Sequence, residues 1–140
     1  MGIDIISLKK ALATLEEVVA VYNKDKSNFI VRDSLVQRYE YTYELAYKTI
    51  KMCLEEESFY GADVREMSFQ NIIRYALETG LLREELEKWA FFRKARNVTS
   101  HTYASSSAND VLLVVDDFVK EVRYFLSKLE KLTEKKEERQ

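Results

Sequence analysis

A chain of 140 residues with no proline, and with glycine only at positions 2, 61 and 80, contains almost nothing that interrupts a helix. Proline removes a backbone donor and clashes with the preceding turn, and glycine gives the chain its sharp reversals. Without them, tight hairpins are hard to build and long helices are not. The apolar residues repeat accordingly. In residues 4 to 23, Leu8, Leu12, Leu15, Val19 and Tyr22 recur at spacings of three and four, which is the spacing of one helical face. Asp4 and Ser7 are candidate caps for this helix.

The polar run Asn23-Lys24-Asp25-Lys26-Ser27-Asn28 is a connector rich in turn formers. Residues 31 to 57 follow as the longest expected helix. Its main face carries Leu35, Tyr39, Tyr43, Ala46, Ile50, Cys53 and Leu54, and an offset ridge carries Tyr41, Leu45 and Met52. A helix apolar on two sides needs more than one packing neighbour, and a partner chain is a natural candidate for the second. Glu55-Glu56-Glu57 opposes the helix macrodipole and weakens the last turn. Shorter helices are expected from about Ser68 to Glu78, with Gly80 as C-cap, and from 82 to 96. The last is expected from 108 to 134, capped by Ser107 or Asn109, with a core face of Leu112, Val115, Phe118, Val119, Val122, Phe125, Leu126 and Leu129. Val111 to Val115 is partly β-branched, but its surroundings keep the helical period. The expectation is an all-α fold: one domain over residues 1–140, an antiparallel up-and-down four-helix bundle with an additional short helix. Residues 134–140 form a frayed charged tail.

Composition narrows the function. A net charge of -2 argues against a broad basic face for duplex nucleic acid, though not against a small phosphate site. One cysteine and one histidine exclude an internal disulfide and disfavour a structural zinc site. No apolar run approaches the roughly 18 residues that span a bilayer, and no leader is evident. A cytoplasmic protein without membrane contact, resident metal or cofactor is expected.

The single histidine lies in Arg96-Asn97-Val98-Thr99-Ser100-His101-Thr102-Tyr103. Histidine is the side chain whose ordinary pKa lies near neutrality, so a proton carrier is sought here first. On a helical wheel, Leu82, Leu86 and Trp89 share a side that Arg93, Arg96 and Asn97 continue. The inward face is thus expected to turn cationic toward its C-terminal end. Basic residues are favoured there by the macrodipole, but inward cations also need partners. Glu40 or Glu44 on the long helix, or a bound phosphate, would serve, and Ser100 is a further donor. In an unbroken helix Arg96 and His101 would diverge by roughly 140°, so their convergence requires the backbone to loosen near Asn97, Thr99 or Ser100. Arg96 on phosphate oxygens and His101 on a ribose hydroxyl proton would suit metal-free phosphodiester cleavage. Plainer readings stand beside this one: a structural histidine at a helix end, Tyr103 as a packed aromatic, Trp89 and Phe92 as core, Glu40 and Glu44 as ion-pair partners, and Cys53 as inert packing.

The spacing Arg96, four residues, His101, one residue, Tyr103 resembles the Arg-x4-His-x-Tyr motif of HEPN-superfamily proteins of the HepT type. The stretch from Arg32 to Lys48 is similar to the long-helix signature of nucleotidyltransferase substrate-binding proteins. The resemblance runs from the first helix to the last. It implies a helical-bundle homodimer in which Arg and His of both chains line one cleft. It also implies a neighbouring minimal nucleotidyltransferase of the MntA type. In the toxin–antitoxin form the HEPN subunit is a metal-independent ribonuclease, silenced when the transferase moves AMP from ATP onto the motif tyrosine. Carried over, Arg96 would bind phosphate, His101 would be the acid–base, Asn97 would support the site and Tyr103 would be the AMPylation target. The alternative is a non-catalytic subunit that presents a nucleotide or other substrate to the transferase. A purely structural bundle is the third reading.

Overall fold

The computed structural model describes residues 5–57, 64–99 and 105–138. Among the described residues there are five α-helices and one 3₁₀ turn, and no strand. These are α1 (Ile5–Lys24), α2 (Phe29–Glu57), the 3₁₀ turn Val64–Glu66, α3 (Phe69–Glu78), α4 (Leu86–Thr99) and α5 (Ser105–Glu138). The expected all-α bundle with one short extra helix is the fold observed.

Cross-helix pairs give the topology. Arg38 Nη1 donates to the Thr14 carbonyl at 2.8 Å and Thr42 Oγ1 to that of Ala11 at 3.3 Å, so α2 runs back along α1. Arg123 pairs with Glu16, and Lys9 with Glu130, so α5 also runs against α1. Tyr39 meets Phe92 through a 2.8 Å hydrogen bond and Tyr43 meets Trp89 at 6.3 Å between ring centres, so α4 runs against α2. Lys88 pairs with Asp117, and further back along the chain Tyr124 Oη donates to the Gly80 carbonyl. Each helix is therefore antiparallel to both of its bundle neighbours.

The core follows the expected periodicity on α2 and α5. On α1, Leu8, Leu12 and Leu15 are buried as expected, but Ala11 and Val18 complete the row, and Val19 and Tyr22 are only half-buried. On α2, Leu35, Tyr39, Tyr43, Ala46, Ile50, Cys53 and Leu54 are all buried. On α5 the buried row is Val111, Val115, Phe118, Val119, Val122, Phe125, Leu126 and Leu129, with Leu112 only partly covered. Tyr39, Phe92, Trp89 and Phe118 form an aromatic centre, with Phe92 and Phe118 edge-on at 5.3 Å. Such contacts add to the area they bury. The offset ridge of α2 is more open: Tyr41 is exposed, while Leu45 and Met52 are half-buried.

Several boundaries move, each for a local reason. Asn28 Oδ1 accepts from the amides of Ile30 and Val31, which starts α2 two residues early. Ser68 is the cap of α3 rather than its first residue, with Oγ accepting from Asn71. Gly80, at φ 81°, ends α3: its amide donates to Leu77 O and that of Leu81 to Ala76 O, a Schellman closure. Ser7 lies inside α1, and α5 starts at Ser105, ahead of both expected caps. Asp4 and Gly61 fall outside the described residues. The helix continues to Glu138, into the segment expected to be a frayed tail.

The largest change is at α4, which begins at Leu86 and not at 82. Its entry is held by Glu121 of α5, a fully buried carboxylate. Glu121 accepts from the amides of Arg83 and Glu84 and, at 2.9 Å, from the indole of Trp89. The amides of 83 and 84 point across to a neighbouring helix, so those residues form an extended entry loop. Leu82 is buried but precedes the helix.

Candidate functional site

The C-terminal half of α4 lies against the middle of α2. The buried stripe of α4 is Trp89, Phe92 and Ala95. Arg93 and Arg96 do not continue it, contrary to the wheel's reading. They stand on its flank, Arg93 exposed and the Arg96 side chain 30% exposed, at the mouth of a cleft between α2, α3 and α4. At 3.6 residues per turn Arg93 lies about 100° from the middle of that stripe, whereas Arg96 lies about 20° from Trp89 and its long side chain reaches outward to Glu44.

This cleft encloses about 310 Å³ and is lined by Tyr43, Glu44, Tyr47, Lys48, Lys51, Phe69, Arg93, Arg96 and Asn97. Four of those residues are cations and one is a carboxylate, in a chain that is net acidic. The cleft is thus locally cationic, as an anion site requires.

Arg96 Nη2 donates to Glu44 Oε1, and its Nη1 reaches Asn97 Oδ1 at 3.4 Å. The hydrogen bond to Glu44 raises the Arg96 guanidinium above its ordinary value, and the charges of Glu44 and Glu40 add to this. Glu44 is therefore the ion-pair partner expected on the long helix, while Glu40 acts at longer range. Arg93 lies over Phe69, 4.7 Å from the ring centre, and Lys51 sits 5.7 Å from that of Tyr47. Tyr47 and Phe69 touch each other at 5.7 Å. Burial pushes the Tyr43 hydroxyl well above its ordinary value, with Arg93 and Arg96 partly offsetting this. Burial also raises Tyr47. Both phenols stay protonated at neutral pH and can donate to an anion.

The structure brings Arg93, Arg96, Asn97 and Glu44 together. Ser100, His101 and Tyr103 lie outside the described residues. The backbone is helical through Asn97 and Thr99, so the loosening expected at those two positions does not occur there. Among the described residues no group of three or more His, Cys, Asp or Glu side chains is placed to hold a metal ion. None of their helices is long and apolar enough to cross a membrane.

Four lining residues were not anticipated: Tyr47, Lys48, Lys51 and Phe69. Three of them carry a sequence signal, because Glu44, Lys48 and Lys51 repeat at i, i+4 and i+7, and Tyr43 and Tyr47 at i and i+4. Phe69 carries none. It opens α3, and only the return of α3 against α2 brings it to the cleft.

Residues 3–131 match the family model for nucleotidyltransferase substrate binding protein like chains. A Haemophilus influenzae protein described as a probable ribonuclease HepT is 35% identical over 131 residues, covering 87% of this chain and 88% of its own. A solved H. influenzae structure, described as revealing the fold of a substrate-binding domain of a nucleotidyltransferase, superposes with TM-score 0.80. It is 30% identical and covers 91% of this chain and 99% of that one. A crystal structure of a Thermus thermophilus protein superposes with TM-score 0.68 at 30% identity, covering 87% of this chain and 98% of that one.

Proposed function

Because the chain belongs to the nucleotidyltransferase substrate-binding protein-like family, we propose that it is the HEPN-type partner of a minimal nucleotidyltransferase and acts as a metal-independent ribonuclease. The observation that carries this reading is the cationic cleft at Arg96, on the helix that leads into the sequence run holding His101. The HepT description of the 35%-identical relative supports the same reading.

In this reaction Arg96 holds the non-bridging oxygens of the scissile phosphate and stabilises the charge that develops on them. His101 takes the proton of the ribose 2′-hydroxyl, whose oxygen attacks the adjacent phosphorus. The bond to the 5′-oxygen breaks, and that oxygen needs a proton. One histidine cannot do both steps at once, and a two-fold homodimer brings a second copy to a shared cleft. Asn97, Arg93 and Ser100 add donors around the phosphate. AMP transferred to Tyr103 places a bulky anion two residues from His101, where it competes for Arg96 and excludes RNA, as a toxin–antitoxin pair requires.

Expression of the chain alone tests this. Growth arrest and RNA cleavage are expected, and both are lost in Arg96→Ala and in His101→Ala. An unmodified dimer that leaves RNA intact refutes the catalytic role. Coexpression with the transferase and ATP should add AMP to the wild type but not to Tyr103→Phe, read from intact mass. The second reading, a non-catalytic subunit that presents a nucleotide, is favoured by one feature, the aromatic wall of Tyr47 and Phe69 beside the cations. It predicts nucleotide binding without cleavage.

A further inference from the structure

We infer that the anion site continues past Arg96 along α2 through Lys48 and Lys51, forming a second phosphate subsite that takes the backbone of single-stranded nucleic acid. This rests on the ribonuclease reading of the Arg96 site and specifies its substrate. Three observations carry it. The first is position: the Arg96 guanidinium sits on Glu44, and Lys48 and Lys51 follow Glu44 on the same face of α2 and line the same cleft. At 1.5 Å per residue, the row from Glu44 to Lys51 runs about 10 Å, longer than one phosphate group needs.

The second is the aromatic lining, Phe69 from α3 and Tyr47 from α2 itself. Phe69 and Tyr47 stand beside the lysines, each already paired with a cation, Arg93 and Lys51. Cations interleaved with aromatic rings are the means by which proteins hold unpaired bases and their backbone. The third is size. The cleft, about 310 Å³, is near the lower end of small-ligand sites, which begin at about 300 Å³. It accommodates a nucleotide unit and not the width of a duplex. The acidic balance of the whole chain likewise supplies no broad face for a duplex.

The test is the salt dependence of binding by the whole 140-residue chain, in a His101→Ala background so that the probe stays intact. The probes are a fluorescein-labelled oligouridylate and an RNA duplex of the same length. Each phosphate contact to a single strand contributes about 0.7 to the slope of log Kd against log salt. Lys48→Ala with Lys51→Ala removes that one phosphate contact and should therefore flatten the slope by about 0.7. Lys48→Arg with Lys51→Arg should restore it, and circular dichroism should show all variants folded. The single strand should bind more tightly than the duplex. An unchanged slope in the alanine pair, or tighter binding of the duplex, overturns this inference and leaves the ribonuclease reading standing. Failure of the parent protein to bind either probe overturns both.

Discussion

Removing the carboxylate of Glu121 should loosen α4, the helix that carries Arg93 and Arg96. Oε2 of Glu121 accepts three hydrogen bonds, from Glu84 N at 2.7 Å, Trp89 Nε1 at 2.9 Å and Arg83 N at 3.1 Å. Hydrogen bonds to a charged group contribute about 1.5–3 kcal/mol each in isolation, but shared acceptors are not additive. Glu121→Ala leaves these donors without their acceptor and opens a cavity, so a loss of about 3–5 kcal/mol is expected. Glu121→Gln is the sharper variant. Its amide oxygen fits the Oε2 position and keeps all three donors, while its NH₂ replaces Oε1, which accepts only a 3.2 Å bond from Arg83 N. The expected loss is about 1–2 kcal/mol. Urea unfolding measures both, and Trp89, the one tryptophan of the chain, reports the site directly through its fluorescence because its indole is a donor to Glu121. The glutamine variant should fall between wild type and alanine, with an altered native emission. An alanine variant within about 0.5 kcal/mol of wild type, the range of ordinary surface changes, would refute the account of Glu121 as the anchor of α4.

Two further outcomes follow from the cleft and the core. Glu44→Gln removes the anion that occupies Arg96, and because the pair is half-exposed, with side chains 30% and 55% accessible, its coupling is at most about 1 kcal/mol. Oligonucleotide affinity should rise by up to about fivefold, read by fluorescence anisotropy, and weaker binding would mean that Glu44 orients Arg96 instead of competing for it. Tyr39 and Tyr43 test the alkaline limb of stability. Burial raises both hydroxyls, so above about pH 10 they ionise in the unfolded chain while the folded protein keeps them protonated. The unfolded state then binds fewer protons, and stability falls by up to about 1.4 kcal/mol per pH unit for each tyrosine. Tyr39→Phe should cost about 1 kcal/mol at neutral pH through its lost bond to the Phe92 carbonyl and should flatten that alkaline decline. An alkaline slope identical to wild type in urea titrations would contradict the burial argument.

The helices and the core were legible in the chain because both depend on local spacing. A run without proline and with apolar residues every three or four positions has one regular way to bury them, and every residue assigned to the main face of α2 is buried. The turn at Gly80 was legible for the same reason, since its backbone conformation is a property of that residue. Glu121 was not legible. On a wheel it is a charged residue beside Phe118 and Phe125, and nothing local shows that its partners lie more than thirty residues away. That one hidden contact shifted the start of α4 by a turn.

Local spacing was enough for the helices and for most of their buried faces. Tertiary structure alone decided which charges share a space. Glu44 and Arg96 are far apart in the chain and meet because α2 and α4 run antiparallel. Lys48 and Lys51 follow Glu44 along α2 itself, and Phe69 joins them because α3 folds back against α2. Periodicity reports which side of a helix avoids water, and that is a property of the helix alone. An anion site is made of the flanks of several helices: the repeat of Glu44, Lys48 and Lys51 shows one helix's share, but nothing in the sequence shows that this flank meets Arg93, Arg96 and Phe69.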